Sequence, residues 1–177
     1  MKKVAPFTLV DINGREVSFP GSRTSLVCFI KEDCPTCRLV LPVLTALYES
    51  FAKHMELYII GQTRSGNQKL MDEMQPPFSI LDDSKLKVSF AADIETLPTL
   101  LITDEDGTPT VEQAGFVREE WQSTVNELLG KFEGSQCSLN WAALPEWRSG
   151  CGSLSADPMH ADRLRAEAEN SPIRARK

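Results

Sequence analysis

The chain has 177 residues, of which 41% are hydrophobic and 25% charged, with a formal net charge of −6 at pH 7. This length allows one domain with a substantial core and a modest appendage. The acidic balance argues against a nucleic-acid partner, because phosphate binding requires a basic face.

Two short strands open the chain. Residues 7–10 and 16–19 are rich in β-forming side chains, and an Asn-Gly pair at 13–14 favours a turn between them. Residues 24–30 form a continuous apolar run of β-formers, which is typical of a central strand covered on both faces. A helix is predicted next, at 38–53, from its stripe of apolar residues.

The following region alternates strands with helices. Strands are predicted at 56–61, 78–81, 99–103 and 109–116, and helices at 63–74, 84–90 and 118–132. This alternation predicts an α/β fold whose mostly parallel sheet is flanked by helices. A tight turn at 104–107 joins the last two strands as a hairpin, so the central sheet is predicted to be mixed.

The composition changes after residue 132. Residues 1–132 are predicted to be the domain, and 133–177 an irregular C-terminal extension rich in Gly and Ser. A polar helix is expected at 159–170, capped by Asp157, and the end, 171–177, is expected to be disordered. Three large apolar side chains of the extension are expected to pack on the domain: Trp141, Leu144 and Trp147.

Cys34-Pro35-Thr36-Cys37 is the strongest chemical signal. A CxxC pair either binds zinc or cycles between dithiol and disulfide, and zinc usually needs a second ligand pair, which the sequence lacks. A buried strand leads into the motif and a helix leads out, which places Cys34 at a helix N-terminus where a thiolate is stabilised. Cys34 is therefore predicted to attack a disulfide and Cys37 to resolve it. Two buried thiols without a redox role are the alternative.

Further motifs turn this signal into a family resemblance. Pro42 follows the second cysteine where thioredoxins carry a helix-kinking proline, and Thr96-Leu97-Pro98-Thr99 resembles the cis-proline loop of that fold. With the Gly-Phe pair at 115–116, residues 7–132 resemble a thioredoxin-fold redoxin. The opening FTLVDxNG pattern and the segment 62–77 are similar to TlpA/ResA-like thiol–disulfide oxidoreductases, which are related to peroxiredoxins.

The resemblance implies a cis peptide bond at Pro98. The backbone of Thr96 and Leu97 is then expected beside the sulfurs, where an extended substrate segment pairs with it by strand addition. A trans proline that simply begins a strand is the alternative.

The sequence also departs from the family pattern. Asp33 stands where thioredoxins have a tryptophan, Cys28 replaces their buried acid, and Val40 replaces a glutamate of the ResA-like proteins. Proton transfer must therefore differ, and Glu32 and Asp33 are the candidates to assist it.

The charges around the motif have two interpretations. Glu32 and Asp33 either assist the thiols or are solvated loop charges. A carboxylate close to Cys34 raises the thiol pKa, whereas Arg38 acts in the opposite direction.

The remaining cysteines are three. Cys28 is predicted to be a small core residue. Cys137 and Cys151 lie in the extension and are either unpaired surface thiols, a disulfide with each other, a second redox pair that relays electrons to Cys34 and Cys37, or part of a metal site.

Location follows from the N-terminus and from the absence of a long apolar run. The longest such run, 39–47, is far below the ~20 residues of a membrane span. Lys2 and Lys3 resemble the start of a signal peptide, but polar residues interrupt the stretch that follows. A cytoplasmic protein is predicted, or a periplasmic one if a leader has been removed.

These patterns predict a thiol–disulfide oxidoreductase that reduces a partner protein disulfide and is recharged by an upstream thiol reductant, with an antioxidant role. No cofactor is expected beyond the Cys34–Cys37 disulfide, and no membrane partner; the sequence predicts nothing about oligomeric state. A peroxidase is the first alternative, although Lys31 stands where peroxiredoxins have a threonine. A metal chaperone, which fits His54 poorly, and an accessory protein that docks through the extension are the others.

Overall fold

The computed structural model describes residues 1–170; the end predicted to be disordered, 171–177, lies outside the described residues. Its strands are β1 Phe7–Val10, β2 Glu16–Phe19, β3 Ser25–Ile30, β4 Glu56–Gly61, β5 Ile80–Asp82, β6 Thr96–Leu97, β7 Thr99–Thr103, β8 Pro109–Ala114, β9 Phe116–Val117, β10 Trp147–Arg148 and β11 Cys151–Gly152. Its α-helices are α1 Pro35–Phe51, α2 Arg64–Met74, α3 Lys87–Ala91, α4 Arg118–Lys131 and α5 Pro158–Glu169.

A five-stranded mixed sheet in the order β5-β4-β3-β7-β8 forms the centre of the molecule. β3, β4 and β5 run parallel, whereas β7 is antiparallel to both of its neighbours. All six residues of the middle strand β3 are buried, as expected when both faces of a sheet are covered. The predicted α/β class with a mixed central sheet is confirmed.

Two of the predicted helices begin elsewhere. α1 begins at Pro35 rather than Arg38, because Cys34 caps the helix and a proline is well suited to its first position. α3 begins at Lys87 rather than Ser84. The Asp83 carboxylate accepts hydrogen bonds from backbone N–H groups at the start of α3, so the residues before it form the approach to the helix.

The extension folds back over the domain. β10 pairs with β9, and β11 pairs with β6, both antiparallel. α5 begins as predicted, with the Asp157 side chain accepting from the N–H of Met159. The expectation that Trp147 packs on the domain is wrong: it is 67% exposed, because β10 lies at the surface with both residues open to solvent.

The same extension contributes apolar surface elsewhere. Trp141 and Leu144 are half-buried and pack against the core, as expected. Among residues 1–170, no helix is both long and apolar enough to cross a membrane.

Candidate redox site

Cys34 lies between the central strand β3 and helix α1, directly before the first residue of the helix. Its backbone is extended, with φ −94° and ψ 112°, and its sulfur accepts a hydrogen bond of 3.4 Å from the N–H of Cys37. Pro35 occupies the first helical position between them. The free N–H groups and partial positive charge of this helix end favour an anion at Cys34.

Hydrogen bonds from other thiols make Cys34 an acidic thiol. The pKa of Cys34 is lowered to about 5, and the Cys37 thiol is the strongest influence, against the opposing effect of burial. The Cys151 thiol and the N–H groups of Cys37 and Thr36 contribute smaller parts of the same decrease. A free cysteine has a pKa of about 8.5. Because the pKa of Cys34 lies below neutral pH instead, Cys34 is a thiolate at neutral pH.

Cys37 is held in the opposite state. Burial raises the pKa of Cys37 far above its usual range, and the hydrogen bond to Cys34 and the negative charge there add to the effect. Both sulfurs have 0% exposure. The pair therefore contains one nucleophilic thiolate and one protonated thiol that stabilises it.

Cys28 lies beneath the pair in β3. It is fully buried, and burial alone raises the pKa of its thiol. This environment suits a small core residue, as the sequence suggested.

The loop before β7 faces the nucleophile. The Leu97–Pro98 peptide bond is cis, and the Leu97 carbonyl oxygen lies 3.5 Å from the sulfur of Cys34. The Thr99 hydroxyl donates a 2.7 Å hydrogen bond to the carbonyl of Thr96, which fixes the loop. The structure thus brings the predicted loop and the predicted pair together.

The backbone edge of this loop is already paired. Cys151 lies opposite Leu97 and Gly152 opposite Thr96 in the β11–β6 ladder. The resemblance implied that a substrate segment pairs here, but in this structure the chain's own extension occupies the edge.

The charged residues around the motif have partners of their own. Glu32 accepts a 2.9 Å hydrogen bond from the Thr63 hydroxyl, and its carbonyl accepts from Arg38 at 2.8 Å. Arg38 also donates to the Glu73 carboxylate at 2.7 Å. These contacts tie the loop to α2, which favours a structural role for Glu32 and Arg38 over an action on Cys34.

Asp33 is the most exposed of the three predicted charges. Its side chain is 66% exposed and forms a 3.4 Å ion pair with Lys31. This position favours the alternative of a solvated loop charge. The main groups that set the pKa of Cys34 are thiols and backbone N–H groups.

Three side chains hold the extension over the site; sequence reasoning named Thr36 and Lys31 without these contacts and missed Gln62. The Thr36 hydroxyl donates 2.6 Å to the Ser149 carbonyl, and Lys31 Nζ donates 3.2 Å to the Gly152 carbonyl. Gln62 is buried at the end of β4. The sequence signal that could have identified Gln62 is its position directly after a buried parallel strand, because the ends of such strands converge on one edge of the sheet.

Gln62 binds the extension with both ends of its amide. Its Nε2 donates 2.7 Å to the Ser153 hydroxyl, and its Oε1 accepts 2.9 Å from the N–H of Leu154. Ser155 continues the contact by donating 3.1 Å to the Ile94 carbonyl. The extension is therefore fastened on the carboxyl side of Cys151 as well as before it.

The structure does not pair the two extension cysteines with each other. Both are free thiols, and the thiol neighbour of Cys151 is Cys34. Cys137 is half-buried and packs at the edge of the core. Within the described residues, no group of three or more His, Cys, Asp or Glu side chains is arranged to hold a metal ion.

A comparison with known protein families matches the part of the chain that contains the redox site. The sequence model of the AhpC/TSA family matches residues 1–110, which include both motif cysteines and the cis-proline loop. The match covers well over half of the chain.

Individual relatives are more distant. A thioredoxin of Borreliella burgdorferi is 23% identical over 119 residues, covering 67% of this chain and 84% of that protein. An uncharacterized conserved protein of Geobacillus kaustophilus has a similar structure, with TM-score 0.64 and 20% identity over 85% of this chain and 89% of that one. StoA of Bacillus subtilis aligns with TM-score 0.61 and 21% identity over 70% of this chain and 96% of that one. These structures share the fold.

Proposed function

The chain belongs to the AhpC/TSA family of thioredoxin-fold thiol enzymes, and from that premise we propose that it reduces a disulfide of a partner protein through Cys34 and Cys37. The observation that carries the proposal is the pairing of a thiolate with a protonated thiol at one helix end. Cys34, with its pKa of about 5, faces the cis-Pro98 loop, and Cys37 lies one turn inside α1.

The exchange proceeds in two steps. The Cys34 thiolate attacks one sulfur of the partner disulfide, whose S–S bond breaks, and the other partner sulfur leaves as a thiolate. Cys37 then attacks Cys34 in the mixed disulfide, and the second partner sulfur leaves. The proton of Cys37 passes to a departing thiolate, and two electrons move from the pair to the partner.

An upstream thiol reductant completes the cycle. It returns two electrons to the Cys34–Cys37 disulfide, so the proposal needs no cofactor beyond this disulfide. The proposal divides the chain into a redoxin domain, 1–132, and an extension, 133–177, whose described part, 133–170, folds back over the domain.

The reducing direction rests on a reducing, cytoplasmic compartment. A stabilised thiolate favours the reduced form of the pair. The pair is therefore a weaker reductant than one whose thiolate is less stabilised. The pKa of about 5 lies between the values of about 7 for thioredoxin and about 3.5 for DsbA. We therefore expect a midpoint potential between about −270 and about −120 mV.

A redox titration tests the proposal. The purified protein is equilibrated in glutathione buffers of graded ratio, and free thiols are trapped with a mass tag, for wild type, Cys34→Ser and Cys37→Ser. Joint oxidation of Cys34 and Cys37 as a two-electron couple supports the proposal, and the midpoint gives the direction of net transfer. A wild-type pair that never forms a disulfide contradicts it.

A thiol peroxidase is the second candidate, favoured by the AhpC/TSA match and the fold shared with peroxiredoxins. Cys34 attacks one peroxide oxygen in that case, the O–O bond breaks, and the other oxygen leaves as an alcohol or water. Cys37 then condenses with the resulting sulfenic acid to give the disulfide and water. Peroxide consumption with dithiothreitol as the reductant separates the two functions. Turnover of peroxide at a rate above that of protein disulfides favours the peroxidase.

A further inference from the structure

Cys151 lies in a segment of the extension that packs beside the nucleophile. The β11–β6 pairing sets Cys151 opposite Leu97, whose carbonyl faces Cys34. The two thiols influence each other, because Cys151 lowers the pKa of Cys34 and Cys34 raises the pKa of Cys151. The third thiol therefore lies close to the reactive sulfur.

The placement of Cys151 is fixed from both sides. Thr36 binds the backbone of Ser149 before it, and Lys31 binds the backbone of Gly152 after it. Gln62 then holds Ser153 and Leu154. Such a set of contacts holds a sulfur at a defined position, as a reacting group requires.

Exposure separates the three thiols. Cys34 and Cys37 have 0% exposure, whereas Cys151 is partly exposed in a strand at the surface. A thiol or disulfide that approaches from solvent therefore meets the sulfur of Cys151 before the sulfurs of the buried pair.

We propose that Cys151 is a third redox thiol that forms a disulfide with Cys34, in competition with Cys37. The inference rests on the proposed function, since it requires Cys34 to be the nucleophile. In the resolving step, the Cys151 sulfur attacks Cys34 in the mixed disulfide, the Cys34–partner bond breaks, and the partner sulfur leaves with the proton of Cys151. The partner gains two electrons, and Cys34 and Cys151 lose two.

Protonation supports Cys151 as a resolving thiol. Burial, the contact with the Cys34 thiolate and its charge raise the pKa of Cys151 to about 11, while the nearby Lys31 ammonium opposes them. The pKa of Cys37 is raised much further, outside the usual range of thiols. In the mixed disulfide Cys34 carries no charge, so burial is the main influence left, and it is greater at Cys37 than at the partly exposed Cys151. Cys151 therefore supplies the larger thiolate fraction, on which the rate of exchange depends.

The Cys34–Cys151 disulfide also gives the upstream reductant a point of entry. An external thiolate attacks the accessible Cys151 sulfur, and Cys34 leaves as a thiolate. A low leaving-group pKa speeds this step. A second thiol of the reductant then attacks the resulting mixed disulfide and frees Cys151, so two electrons enter the protein and the reductant becomes a disulfide.

The test uses the full-length reduced protein, glutathione disulfide as the oxidant and peptide mass spectrometry under non-reducing conditions. In Cys37→Ser, Cys34 first forms a glutathione adduct, which Cys151 displaces. The Cys34–Cys151 disulfide is expected to exceed the adduct at least about tenfold when free glutathione is below about 0.1 mM, because tethered groups have effective concentrations of about a millimolar or more. The matched control Cys37→Ser/Cys137→Ser is expected to give the same result.

Cys37→Ser/Cys151→Ser is expected to keep Cys34 as the glutathione adduct. If the adduct also persists in Cys37→Ser, or if Cys34 pairs with Cys137, the role of Cys151 is overturned while Cys34 remains a nucleophile. If Cys34 takes no glutathione in any variant, the proposed function fails as well.

A second measurement leaves Cys37 intact. Oxidised wild type, Cys151→Ser and Cys137→Ser are reduced with dithiothreitol, and the release of the Cys34 and Cys37 thiols is followed over time. Cys151→Ser is expected to slow the release severalfold, and Cys137→Ser to leave it unchanged. Equal rates in all three proteins overturn the role of Cys151 in electron entry.

Discussion

Gly150 packs directly against the carbonyl group of Leu97. A Cβ at Gly150 would overlap that backbone oxygen and the methyl group of Thr96. The strand that covers Cys34 can therefore lie this close only because residue 150 has no side chain. Gly152, two residues further on, has nothing within 4 Å of its Cβ position, so the two glycines on either side of Cys151 form a matched pair.

Gly150→Ala is expected to lift the extension from the site. Overpacking by one methyl group costs about 1–3 kcal/mol, and the neighbouring atom at Leu97 is backbone that cannot rotate away. The open state then becomes between about fivefold and about a hundredfold more populated. The rate at which a maleimide reacts with Cys34, measured by mass spectrometry, reports this change.

Gly152→Ala is the control for that substitution. Its methyl group points into open space, so the rate of Cys34 labelling is expected to stay within about twofold of wild type. Equal acceleration by both substitutions would mean that the contact with Leu97 does not hold the extension in place.

Gln62→Met is expected to loosen the extension from its other side. The substitution keeps the side-chain volume but removes both bonds of the Gln62 amide. The Leu154 N–H loses its partner, at a cost of about 1–3 kcal/mol, whereas the Ser153 hydroxyl keeps its contacts with Ser155. Hydrogen exchange of the backbone amides at 151–156 should become faster, while exchange in β3 changes little.

Gln68 provides the matched control for Gln62. It lies exposed on α2 and bonds only the neighbouring Asp72 side chain, so Gln68→Met should leave exchange at 151–156 unchanged. If Gln62→Met leaves it unchanged too, the amide of Gln62 is not an anchor of the extension.

The reactive pair was predictable because its determinants are local. The apolar run of β3, the CxxC spacing and the periodicity of α1 lie within one stretch of chain, and together they place Cys34 at a helix N-terminus. The Thr-Leu-Pro-Thr pattern located the loop around Pro98 by resemblance. Family patterns of this kind carry information about tertiary contacts that periodicity lacks.

The position of the extension over the cysteine pair could not be predicted in the same way. β6 and β11 have two residues each, too few for any periodic pattern, and their pairing joins distant parts of the chain. Sequence analysis therefore treated Cys151 and Cys137 as equivalent extension thiols. Tertiary pairing sets Cys151 against Cys34 and leaves Cys137 at the edge of the core.

The pKa of Cys34 should depend on its thiol neighbours in a defined order. Cys37→Ala removes the strongest influence and is expected to raise that pKa from about 5 toward the ordinary value of about 8.5. Cys151→Ala removes a weaker hydrogen bond and should raise it less, and Cys137→Ala should not change it. Thiolate ultraviolet absorbance, titrated against pH in each reduced variant, measures the order. A pKa that stays near 5 in Cys37→Ala would show that the helix end alone stabilises the thiolate.

The stability of the reduced protein should rise with pH in the range where Cys34 is ionised only in the folded state. Its pKa is about 5 when folded and about 8.5 when unfolded, so between these values the unfolded chain binds more protons. Stability then increases with pH across this window and is lost as pH falls through about 5, a total on the order of a few kcal/mol.

Cys37 reverses the pH dependence of the free energy of unfolding at higher pH. Its folded-state pKa is raised, so above about 8.5 the unfolded chain loses a proton that the folded chain keeps, and stability falls. Urea unfolding of the reduced and oxidised proteins at matched pH isolates both effects, because the disulfide form has neither ionisable thiol. The reduced-minus-oxidised difference in free energy of unfolding is expected to climb from pH 5 to a maximum near pH 8.5. A difference that is flat over this range would mean that Cys34 is not ionised selectively in the folded state.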